Sequence, residues 1–224
     1  MVLKRLTIIV GLAALLFALE FAPRPAAAHP HVWIDMTTKV LFDKDGRVRA
    51  LGIYWVFDPF YSSFLDLRVK ELAKKGDKVA HATFAKNMAS RIKEHGYFTE
   101  ATADKKRLDF AGHGKTEAGQ IKGGKEEGRF WVRFELTLKE PVDPKRQTFT
   151  YAVYDPTYYI EILHREKSPA HTLVGIAKDV CQAYLIKPKL DAGAQTLAAS
   201  LDKTESAGDT LGQLFAEKVT LQCK

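Results

Sequence analysis

Residues 32–60 read VWIDMTTKVLFDKDGRVRALGIYWVFDPF. Val32, Ile34, Met36, Thr38, Val40 and Phe42 fall on every second position, and His31, Trp33, Asp35, Thr37 and Lys39 take the others. A period of two is the pattern of a strand with one buried face. Asp43-Lys44-Asp45-Gly46 follows, and Asp-Gly is a strong local hairpin signal. Residues 47–57 form the return strand. Its last five residues, Ile53-Tyr54-Trp55-Val56-Phe57, are apolar on both faces, which predicts a place inside a sheet rather than at its edge. Asp58-Pro59 then opens a helix, since aspartate caps and proline fits the first helical position.

Outward from this unit, Tyr61, Phe64, Leu65 and Leu72 carry the helix to about residue 75, where Gly76-Asp77 ends it. Residues 79–95 are helical again, with Phe84, Met88, Ile92 and His95 stacked one turn apart. Strands return at residue 97. One leads to a turn near Asp104-Lys105, and Gly123-Gly124 marks a hairpin tip. Phe130, Val132, Phe134, Leu136 and Leu138 alternate cleanly. Further strands cover 147–154, 158–163, the surroundings of Cys181, and 219–223. Short helices cover 192–201 and 211–216, and 202–210 reads as a polar linker. The expectation is an α+β fold, mainly antiparallel, with two helices inserted after the first hairpin and short C-terminal helices. Residues 29–224 form one domain.

The preceding residues read as a leader. Lys4 and Arg5 precede an apolar run over 6–19. Its helix would measure about 21 Å, short of the ~30 Å hydrocarbon core. Pro23 and Pro25 break any continuation, and Ala26-Ala27-Ala28 supplies the small residues of a cleavage site. Residues 1–28 are therefore expected to be a signal peptide cut after Ala28, leaving a periplasmic chain that starts His29-Pro30-His31. No later segment is apolar enough to span a membrane. The net charge of +7 is carried by dispersed lysines and arginines, not a basic stripe. With export, this argues against nucleic acid. Cys181 and Cys223 make an even pair in the exported part, which points to a disulfide. A two-cysteine metal site is the rival reading.

A histidine at a chain start offers an α-amine and a ring nitrogen, both easily deprotonated near neutrality. Pro30 lacks an N–H, which blocks the planar amide mode of copper and nickel binding. Amine and imidazoles from His29 and His31 remain as ligands for zinc, nickel, cobalt or copper. Asp155, in YDPTYY, is a candidate third ligand, or else it caps its own turn through an Asx bond. Tyr154, Tyr158 and Tyr159 are candidates for a partner-binding surface, or else sheet aromatics. His164 and His171 flank a loop and form a weaker candidate pair. GxSxG, HExxH, P-loop and dinucleotide patterns are missing from the sequence, so no enzyme class is assigned.

AHPHVWID, WVFDPFYSSF, YAVYDPTYYIEI and LGQLFAEKVTLQC occur in this order along the chain. Together they resemble the DUF1007 family, exported bacterial proteins of unknown function sometimes labelled as a periplasmic component of an ABC-type transport system. The resemblance implies metal handling beside a nickel/cobalt-type or zinc-linked inner-membrane permease. Many members carry an acidic calcium-like loop after FDxFYS. Here its main ligand positions fall on Leu72, Lys74, Gly76 and Thr83, none of them a carboxylate, so calcium is not expected. The resulting expectation is a metal-binding accessory protein acting through His29, His31 and Asp155. The alternative is a solute- or protein-binding envelope module that uses the YDPTYY surface.

Overall fold

The computed structural model describes residues 30–166, 169–177, 179–190, 192–200 and 210–224. The expected leader, its cleavage point, His29 and nearly all of the polar linker lie outside them. Strands β1 (Val32–Phe42) and β2 (Val48–Phe57) pair antiparallel from Ile34–Phe57 to Phe42–Val48. The buried positions of β1 are the alternate ones anticipated, including Thr38.

Helix α1 (Pro59–Lys74) starts where Asp58 Oδ1 accepts the Tyr61 N–H at 2.9 Å. Helix α2 (Ala80–Ile92) stops earlier than its pattern suggested. A 3-10 segment, Lys93–Phe98, follows, and His95 is exposed there. The buried line of α2 is Ala80, Ala85, Ala89 and Ile92, while Phe84 and Met88 are half-buried beside it. Small side chains let the helix approach the sheet closely. The next strand begins at Thr99, two residues later than read, because Tyr97 and Phe98 adopt positive φ.

Strands β3 (Thr99–Ala103), β4 (Lys106–Arg107), β5 (Phe110–Gln120), β6 (Phe130–Val142), β7 (Phe149–Val153), β8 (Ile160–His164), β9 (His171–Val174) and β10 (Cys181–Ile186) follow. Then come α3 (Ala192–Ser200), α4 (Leu211–Phe215) and β11 (Lys218–Cys223). One sheet has the order β5-β6-β2-β1-β8, with β9 also on β1; the other is β10-β11-β7-β3-β4. The fold is α+β and mostly antiparallel. The exceptions are β8 and β9, which run parallel to β1.

Trp55 and Phe134 of the first sheet and Phe149, Tyr151 and Val219 of the second belong to one buried apolar cluster, joined by Leu65, Val69 and Ala85 of the helices. A smaller cluster, Tyr158, Ala194, Ala198, Leu211 and Phe215, sits under α3 and α4. Cys181 and Cys223 are direct cross-strand partners and form the disulfide.

Candidate functional site

The N-terminal motif and the tyrosine motif meet. Parallel pairing sets Val32 opposite Ile160 and Trp33 opposite Glu161. Just before it, the His31 N–H donates to the Tyr159 carbonyl at 2.9 Å. The His31 and Tyr159 rings lie 4.7 Å apart. Trp33 is clasped to the start of α1. Its N–H donates to Asp58 Oδ2 at 3.2 Å, and the Asp58 N–H donates to its carbonyl at 2.9 Å. Trp33 is 48% exposed and Tyr159 44%. Tyr61 lies next to them, its phenol pushed up by burial first and by the neighbouring Tyr159 second. The result is an aromatic end of the molecule, built where β1 starts, β2 ends and α1 begins.

The rest of YDPTYY faces other tasks. Asp155 is buried. Its Oδ1 accepts the Thr157 N–H at 3.0 Å and the Thr157 hydroxyl at 2.9 Å, and its Oδ2 accepts the Ile160 N–H at 3.0 Å. Both carboxylate oxygens thus hold the turn that launches β8, as an Asx turn does. The Tyr158 ring stacks on Phe215 at 3.9 Å, and its hydroxyl donates to Glu161 at 2.8 Å. Burial and the Glu161 carboxylate push that phenol up. Tyr154 donates to Glu100 at 2.8 Å and is pushed up to about 12 by burial and by that acid. It rims an open cavity of about 580 Å³ on the second sheet, shared with Thr102, Thr150 and Lys218. Of the three tyrosines, Tyr159 alone is exposed.

His29 lies outside the described residues, so the amine–imidazole chelate has no geometry here. Among the described residues no three His, Cys, Asp or Glu side chains cluster as a metal site. His164 and His171 separate: His171 Nε2 lies 2.9 Å from the Ala183 carbonyl, while His164 points into the interior.

Sequence reasoning missed what His164 does. Its Nδ1–H donates to Glu217 Oε2 at 3.0 Å, and its backbone N–H donates to the same oxygen at 2.7 Å. Thr38 Oγ1 lies 3.4 Å from Nε2 and 2.6 Å from the Tyr151 hydroxyl. All four residues are buried. Burial pushes the Glu217 carboxyl up, but the His164 hydrogen bonds together outweigh it and hold the group below its ordinary value. The chain links β8 to the entry of β11 and β1 to β7, so it stitches the two sheets together. The one sequence signal was an acid set between Ala216 and the apolar positions of the last strand.

Two sheets sharing a core, two helices after the first hairpin and a cross-strand disulfide define a two-sheet α+β protein with an aromatic end. The chain belongs to the DUF1007 family of proteins of unknown function, whose profile matches residues 13–223. It is 28% identical over 198 residues to an uncharacterized protein of Haemophilus influenzae, an alignment covering 88% of this chain and 92% of that one.

Proposed function

We propose that this protein is a periplasmic envelope module whose working end is the joined HPHVW and YDPTYY motifs, docking there on a membrane-embedded partner. The observation that carries the reading is the pairing of His31 with Tyr159. It places the exposed Trp33 and Tyr159 together on one end of the first sheet. Exposed Trp and Tyr side chains are the residue types that anchor interfaces. The disulfide suits an oxidising compartment, and no described helix is long and apolar enough to cross a membrane.

A second reading keeps the metal. His31 stands at the edge of this same end, and His29, two residues upstream, would add its ring and, after cleavage, its amine. The pair would take zinc, nickel, cobalt or copper and present it to an inner-membrane metal permease. Asp155 supports this less, because its oxygens are occupied by the turn.

Both readings are tested on one set of variants. A photo-crosslinker at Trp33 or Tyr159 in the envelope should capture a membrane partner, and the capture should be lost in His31→Ala if metal is required. Calorimetry with the four ions should show stoichiometric binding that His31→Ala removes. Crosslinking that is intact without metal leaves the docking reading alone. Failure of both measurements refutes the proposal.

A further inference from the structure

Beside the aromatic end, α1 carries an apolar stripe on its outer side. Leu65 and Val69 point into the core, as a helix on a sheet requires. Phe60, Phe64 and Leu67 point out, 85%, 43% and 52% exposed. Positions 60, 64 and 67 share one helix face, one turn apart. Two exposed phenylalanines and a leucine on one convex face are not scattered surface residues, which would need no explanation.

The charges along the same face select the occupant. The stripe runs on into Glu71 and Lys74, with Arg68 on its flank and its guanidinium 4.9 Å over the Phe64 ring. Arg68 is paired with Glu71 at 3.1 Å. Lys74, Lys75 and Lys78 are exposed at the C-terminal end and make no ion pair among the described residues. Protein–protein interfaces are depleted in lysine. Along the helix Asp66 and Glu71 are neutralised by Lys70 and Arg68, and an apolar helix face that runs out into these three lysines matches a helix lying in the plane of an anionic membrane surface, rings among the headgroups and ammonium groups at the phosphates. We propose that α1 lays its outer face on an anionic lipid bilayer, with Phe60, Phe64 and Leu67 entering the headgroup layer and Lys74, Lys75 and Lys78 meeting its phosphates. The inference goes beyond the docking reading above: it names the lipid itself as the surface met by α1, independently of any partner at Trp33.

The test is cosedimentation of the purified protein with vesicles of phosphatidylglycerol and phosphatidylethanolamine, and with vesicles of phosphatidylcholine alone. Binding is expected to the anionic vesicles and to weaken with added salt. The double variant Phe60→Ser/Phe64→Ser should bind at least about tenfold more weakly. Lys74→Glu/Lys75→Glu/Lys78→Glu should lose the preference for anionic lipid. Phe60 is 85% exposed, whereas Phe64 also packs on Tyr61 at 5.6 Å and under Arg68, so the phenylalanine double variant should melt slightly below the parent, and Phe60→Ser alone, which should melt like the parent, must also bind more weakly. Equal sedimentation with both vesicle types, or a phenylalanine variant that binds like the parent, overturns the inference. A crosslinker at Phe64 that captures only protein overturns it as well. If vesicle binding fails while the Trp33 crosslink persists, the lipid surface falls and the docking reading stands. If the crosslink fails while vesicle binding holds, the reverse is true.

Discussion

A Cβ built on Gly212 would overlap the Asp155 carbonyl oxygen. The glycine N–H also donates to the Pro156 carbonyl at 2.8 Å, so α4 is seated on the turn of YDPTYY backbone to backbone. Gly212→Ala should lift α4 off that turn and loosen the Tyr158–Phe215 stack. We expect a loss of about 2 kcal/mol, read as a lower thermal midpoint with a changed tyrosine emission. Some single residues were readable from neighbours in sequence. The Asp58 cap and the turn-holding Asp155 both act on backbone within five residues, so local spacing exposes them. Gly212 and Glu217 act on residues far along the chain, and nothing near them in sequence announces it.

At the scale of elements, the strands of the first hairpin were legible because alternation reports burial directly. Which neighbour a strand takes was not. A period of two is the same beside a parallel or an antiparallel partner, so the placement of β8 and β9 along β1 had no signature. Helix α2 was legible from its period, but its innermost line was not. Ile92 is on the core face as read and Phe84 and Met88 pack at its margin, but Ala80, Ala85 and Ala89 fill its centre, and His95 lies beyond the helix end and is exposed. The disulfide was legible from cysteine count, and its place sharpens its role. β10 is an edge strand whose ladder partner is β11, and the bridge joins the paired ends Cys181 and Cys223, 42 residues apart in sequence. Cys181→Ser/Cys223→Ser should cost up to about 4 kcal/mol. Amide exchange should quicken first along Cys181–Ile186, with β7 little changed.

For the molecule as a whole, the buried Glu217 sets an acid limit. Its folded pKa lies below its ordinary value of 4.5, so near that pH the unfolded chain binds more protons than the folded one. The stability it contributes is complete above about pH 4.5 and is lost as pH falls through the depressed folded value. Thermal midpoints measured from pH 7 to pH 3 should drop at the acid end, and Glu217→Gln should flatten that drop. The variant should also be weaker at neutral pH. His164→Ala, which leaves the carboxylate buried beside a single N–H, should cost about 3 kcal/mol. The parallel placement of β8 on β1 also carries a consequence in time. Chains are made from the N-terminus, and Thr38 must wait for His164, 126 residues later. Until then, one edge of β1 is open to any strand that arrives, which is the condition under which nascent sheets pair wrongly. The aromatic end of this protein is therefore begun at His31 and Trp33 and completed only once Tyr159 and Glu161 are made, and a holding factor that covers β1 in the interval should raise its yield.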